Sequence, residues 1–218
     1  MNNQAASLFR ITGLYFRLMT STTPTNCAVL FADISGSSQL YAQLGNQAAK
    51  QLINAILVKL AEIISSYHGR IIKTIGDEIM ASFDNFDRAV KAALELQLSC
   101  LRQSGPSKLK LRIGIDFGEV LQEQNDLFGE TVNNAAFLTS IASRGKILIS
   151  AAALQKLTHS ARDNCSEYDK IILKGRTQKT SIYRISCRKF IFGMNSYLCW
   201  NRVESVLISR GKMRVLKS

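Results

Sequence analysis

Arg70-Ile71-Ile72-Lys73-Thr74-Ile75-Gly76-Asp77-Glu78-Ile79-Met80-Ala81-Ser82-Phe83 is two apolar runs of strand length joined at Gly76-Asp77. A Gly-Asp dipeptide between such runs is a hairpin signal, because glycine accepts the backbone angles a tight turn demands. The hairpin therefore carries a carboxylate, Asp77, at its tip.

Upstream lies Val29-Leu30-Phe31-Ala32-Asp33-Ile34-Ser35-Gly36-Ser37-Ser38. Cys27 to Ile34 is a continuous apolar run, as a strand buried on both faces requires. It ends in a carboxylate, Asp33, and a small-residue turn. Ser35 to Ser38 supply helix-capping residues, and their amides at a helix start suit phosphate oxygens. A strand-end carboxylate beside a hairpin-tip carboxylate can hold two divalent cations against a nucleoside triphosphate. The simpler reading is a helix cap at Asp33 and a turn residue at Asp77. The two contexts together favour a metal pair.

Working outward, apolar residues from Leu40 to Ile64 recur at helical spacing, with an interruption at Gly45-Asn46. Asp87 to Leu101 forms an amphipathic helix. Leu109 to Asp116 and Gly118 to Leu121 read as strands, and Gln122 to Asp126 as a polar loop. Gly129 to Ala142 is helical, Ile147 to Ile149 a strand and Ala151 to Leu157 a helix. Ile171 to Leu173 and Ser181 to Ile185 close the pattern as strands. The core order, β-α-β-β-α-β, is that of an α+β ferredoxin-like antiparallel sheet with helices on one face. In it the first strand lies beside the hairpin, which would bring Asp33 to Asp77.

The chain has 218 residues, room for one domain of ordinary size with extensions. Three segments follow: an N-terminal extension over 1–26, a domain over 27–186 and a basic tail over 187–218. Leu8 to Met19 reads as a short amphipathic helix, and residues 20–26 as a linker. Net charge is +12, with +6 in 187–218 and +2 in 1–26, leaving +4 for the domain. That distribution argues against nucleic-acid binding by the domain. The tail mixes aromatic and basic residues, a composition compatible with membrane contact but more common in packing extensions. Five scattered cysteines without CxxC spacing fit reduced thiols and a cytoplasmic location.

Four blocks together resemble the class III nucleotidyl cyclase catalytic domain over about residues 27–186. They are Phe31-Ala32-Asp33-Ile34-Ser35-Gly36-Ser37, Ile72-Lys73-Thr74-Ile75-Gly76-Asp77, Leu111-Arg112-Ile113-Gly114-Ile115-Asp116-Phe117-Gly118 and Asp126-Leu127-Phe128-Gly129-Glu130-Thr131-Val132-Asn133. The resemblance implies cyclisation of ATP to 3′,5′-cyclic AMP with release of pyrophosphate. It implies a dimer, of like or unlike cyclase domains, with sites shared between protomers. Two Mg²⁺ or Mn²⁺ would be held by Asp33, Asp77 and the Ile34 carbonyl. Ser35, Gly36, Ser37 and Ser38 would hold phosphate. Lys73 and Asp126 would read adenine, Lys73 donating to ring N1 and Asp126 accepting from the 6-amino group. Asn133 would orient the ribose. Lys174 or Arg176 would meet the terminal phosphates.

One position departs from the pattern. Four residues after Asn133 the family carries an arginine that stabilises charge on the α-phosphate, and here Phe137 stands. Loss of one such donor costs about 10²–10³ in rate. Arg144 and Arg176 are the nearby candidates to replace it, although Arg144 reads more simply as a solvated residue at a helix end. The second reading is therefore a cyclase-like dimerisation or nucleotide-sensing module of low turnover, and a guanylate cyclase is the third.

Overall fold

The computed structural model describes residues 24–102, 109–172 and 177–186, with two further strands at 206–209 and 212–215. The expected helix at Leu8–Met19 and the phosphate candidates Lys174 and Arg176 lie outside the described residues.

The elements run β1 (Pro24–Ser35), α1 (Ser37–Ser66), β2 (Arg70–Ile75), β3 (Glu78–Phe83), α2 (Phe86–Arg102), β4 (Lys110–Glu123), β5 (Asp126–Phe128), α3 (Glu130–Ile141), β6 (Ile147–Ser150), α4 (Ala151–Leu154), α5 (His159–Arg162), β7 (Cys165–Ile172) and β8 (Lys179–Ile185). The sheet order is β2-β3-β1-β4-β6-β8-β7, with β5 folded back on β4. Its first four strands have the ferredoxin-like order, all antiparallel. The β4–β6 pair is parallel. β9 (Val206–Ser209) and β10 (Lys212–Val215) form a separate antiparallel pair within a second unit, 187–218.

Strand register explains how the layers form. Leu30 pairs with Ile115, and Ala32 with Ile113, so these side chains share one face. α1 and α2 cover it, and Gln97 of α2 donates its amide to the Leu111 carbonyl at 2.7 Å. Phe31 pairs with Gly114, and Asp33 with Arg112, on the opposite face. α3 packs there. A Cβ on Gly114 would lie 2.3 Å from the Ala135 carbonyl oxygen, so glycine is what lets the helix backbone touch the sheet. Thr139 donates to the Phe31 carbonyl across the same contact. The expectation of helices on one face holds for α1 and α2; α3 corrects it by covering the other.

Other boundaries moved for identifiable reasons. β1 starts at Pro24, three residues inside the expected linker, because β4 continues far enough to pair with it through Leu121. β4 is one strand of 14 residues rather than two. The expected loop at 122–126 shrinks to Gln124-Asn125, with Gln124 at φ 52, so Asp126 opens β5. The break in α1 falls at Gly45, with φ 76 and ψ 166. The helix expected over 151–157 stops at Leu154. No described helix is long and apolar enough to cross a membrane.

Candidate active site

Asp33 lies near the end of the buried run of β1 and is 9% exposed. The Ile34 amide donates to the Asp77 carbonyl at 3.3 Å, tying the end of β1 to the hairpin tip. The two carboxylates named from sequence are thereby held on neighbouring segments. Register adds a third acid, since Glu78 sits opposite Asp33. It also adds a cation. Arg112 donates through Nε at 2.7 Å, and its Nη2 lies 2.6 Å from the same Asp33 oxygen.

Burial pushes the Asp33 carboxyl above the usual aspartate range; Arg112 opposes this shift, and Asp77 adds to it. Burial likewise raises Glu78, followed by the negative charges of Asp33 and Asp77. A half-buried group of three acids offset by one guanidinium has the charge and the hard oxygen donors that suit a magnesium-like cation. Among the described residues no three acids, cysteines or histidines are arranged to hold a metal unaided. A cation held here would need further oxygens, from backbone carbonyls or from phosphate, to complete its shell.

The turn after β1 places Gly36 at φ 93, a left-handed conformation that disfavours other residues. The amides of Gln39 and Leu40 turn back onto the Gly36 carbonyl. Ser37 and Ser38 stand in the first turn of α1.

Lys73 and Asp126 meet on the open part of the sheet, Nζ to Oδ2 at 2.5 Å, with side chains 39% and 32% exposed. A bulge sets this up. The β2–β3 register slips between Ile71 and Lys73, so Lys73 falls opposite Met80 rather than continuing the alternation from Ile71. Met80 pairs with Phe31, which puts Lys73 on the α3 face with Asp33 and Arg112. The Lys73 hydrogen bond holds Asp126 below the usual aspartate range, and the Leu127 amide assists.

α3 carries the remaining predicted residues. Asn133 is exposed. Its neighbour Asn134 is buried and donates to Asp116 at 2.9 Å, while Ser150 donates to the other Asp116 oxygen at 2.5 Å. Phe137 packs with Ile141, Tyr168 and Ile171 against a core of Leu138, Ala142, Leu148 and Ile182. The side chain standing at the expected arginine position is committed to an apolar cluster.

Arg112 and Glu78 were visible only as members of quoted motifs; their part in the site follows from register. The fold and the acid pair beside the Gly36 turn match a domain of the nucleotidyl cyclase class. A model of the adenylate and guanylate cyclase catalytic domain matches residues 19–186, and the chain belongs to that family. An adenylate cyclase of Streptomyces coelicolor is 33% identical over 140 residues, 64% of this chain and 36% of that protein. One of Glutamicibacter nicotianae is 34% identical over 141 residues, 64% of this chain and 34% of that protein. The matched segment thus spans about a third of these curated relatives. The solved adenylate/guanylate cyclase/hydrolase from Silicibacter pomeroyi is 28% identical, with TM-score 0.65, covering 75% of this chain and 98% of that one.

Proposed function

We propose that the domain is an adenylate cyclase converting ATP to 3′,5′-cyclic AMP and pyrophosphate, working as a dimer of like or unlike cyclase domains. The observation that carries the reading is the convergence of Asp33, Asp77 and the Lys73–Asp126 pair on one sheet.

Asp33, Asp77 and the Ile34 carbonyl would hold two Mg²⁺ or Mn²⁺. Bound there, such ions lower the pKa of the ribose 3′-hydroxyl and neutralise the triphosphate. Arg112 offsets part of the burial of Asp33 and orients its carboxylate. Ser35 to Ser38 present amides and hydroxyls to phosphate oxygens. Lys73 and Asp126 offer adenine one donor and one acceptor, and guanine, with O6 and N1–H, reverses that demand. Asn133 orients the ribose of a substrate held largely by the partner. The 3′-oxygen forms a bond to the α-phosphorus, and the bond to the bridging oxygen breaks. Pyrophosphate leaves with that electron pair, and the hydroxyl proton passes to solvent. The scattered cysteines support a cytoplasmic setting, and Cys27, Cys100 and Cys165 are free thiols.

Phe137 favours the second reading, a module that binds nucleotide and turns over slowly. One assay separates the two: purified protein with Mn²⁺ and ATP or GTP, cyclic product identified by mass, and Asp33→Ala as control. Cyclic AMP from the wild type alone supports the proposal. Cyclic GTP as the main product overturns the adenine assignment. ATP binding without product favours the slow module, and product surviving in the control removes the two-metal account.

A further inference from the structure

Arg144 stands at the apex of the turn between α3 and β6, and that turn is pinned on every side. The Ala142 amide bonds to the Leu138 carbonyl, Gly145 to Leu111 and Lys146 to Ser143. The Ser143 hydroxyl meets the Tyr168 hydroxyl at 2.9 Å. Gly145, at φ 79, lies against the Lys110 side chain. From this apex Arg144 reaches across to the phosphate turn. Its Nη2 donates to the Ser35 carbonyl at 3.4 Å, and a Cβ on Gly36 would lie 3.0 Å from the same nitrogen. The guanidinium therefore lies over the glycine of the turn.

The contact with Ser35 is long for a hydrogen bond and commits one of five donors. The others belong to an exposed side chain beside the turn. Strand register adds cations on the same side. Lys110 pairs with Ser35, and Arg112 with Asp33, so both share the face of those residues. Lys110, Arg112 and Arg144 thus gather where Ser35 and Gly36 close the strand. Asp33 pairs with Arg112, and Glu78 feels the same guanidinium. Planar guanidinium groups match phosphate geometry with paired donors.

We infer that Arg144 is a polyphosphate-binding residue, contacting the terminal phosphates of the nucleotide and the departing pyrophosphate from the same protomer that supplies Asp33. This rests on the cyclase reading for its substrate. The missing α3 arginine would have acted from the partner. Arg144 supplies positive charge in cis, at the leaving-group end of the same triphosphate, where negative charge builds as the bridging bond breaks.

The test uses the whole chain and two probes. Binding of inorganic tripolyphosphate with Mn²⁺ is measured by calorimetry, and KM and kcat are measured with Mn-ATP. Arg144→Ala is expected to weaken tripolyphosphate binding and raise KM about tenfold, the scale of one charge-assisted hydrogen bond at a half-open site. Inhibition by added pyrophosphate should weaken in step, and Arg144→Lys should fall between. Lys59→Ala, which removes an exposed charge from α1, is expected to match wild type. Wild-type tripolyphosphate affinity in a folded Arg144→Ala protein overturns the inference, as does an equal loss in Lys59→Ala. A wild type that makes no cyclic nucleotide while Arg144→Ala still loses tripolyphosphate supports the contact and fails only the cyclase reading.

Discussion

The two halves of the site are built differently. The half at the end of β1 is braced by groups that serve it: Arg112 grips Asp33, and the Ile34 amide ties the strand to the hairpin tip. The half on α3 is braced by groups that serve the fold. Asn134 points inward to Asp116, Thr139 bonds to the sheet, and Phe137 joins an apolar cluster. Asn133 stands on the exposed side of the helix. A cation expected on α3 is absent, while Arg144, whose simpler sequence reading is a solvated residue at a helix end, lies beside Ser35 and Gly36. The difference teaches that one face of the domain gathers charge at a strand end while the helix on that face spends its residues on packing.

The comparison breaks most completely at Asp33. Asp33→Ala is expected to lower kcat/KM for Mn-ATP by about 10³-fold, the upper range for removal of one charge-stabilising group. If the same truncation in Asn133→Ala proves as damaging, the halves are equally committed and the contrast fails. Next in size is Lys73→Glu. It sets two acids where Lys73 and Asp126 now pair, and should lower ATP turnover on the order of 10²-fold, the equivalent of about 3 kcal/mol. Comparing ATP with GTP in that variant checks whether the base end acts on specificity as well as rate.

Phe137→Arg sharpens the α3 side. Restoring the cation should raise kcat about tenfold, below the full value of such a donor if Arg144 meets part of the charge as proposed. The same change removes a half-buried ring, so denaturant melts should show a loss of about 1–2 kcal/mol. A variant that loses stability without gaining rate would show that the partner face has no use for the charge.

The smallest effect is in pH. Asn133 and Phe137 do not titrate, whereas the Asp33 and Glu78 carboxyls are held above their ordinary values. Protons therefore compete with metal at a higher pH than at exposed carboxylates. Activity should fall on acidification through that raised range, and more Mn²⁺ should move the acid limb to lower pH. The sign for stability is opposite. A raised carboxyl binds its proton more tightly folded than unfolded, so the metal-free protein should lose stability as pH rises from the ordinary carboxylate range through the raised one. Thermal melts without metal, from pH 4 to 7, check the direction.

Much of this was legible in the chain because the signals were local. Gly76-Asp77 marks its own turn, and the run from Cys27 to Ile34 declares its own burial. Helical periodicity before and after Gly45 located both pieces of α1. Boundaries slipped where pairing outweighed composition: Pro24 joined β1 because β4 had a partner for it, and Asp126 entered a strand because β5 turned back on β4.

By itself the sequence determined the two carboxylates, the small-residue turn at Gly36, the hairpin and the departure at Phe137, since each depends on residue type and near neighbours. The tertiary structure alone decided which cation holds Asp33, which face Lys73 takes, what Phe137 packs against and where Arg144 reaches. Those depend on strand register, on one bulge and on a turn pinned from several elements. They join residues as far apart as Asp33 and Arg112, or Ser35 and Arg144, whose spacing in the chain carries no trace of the contact.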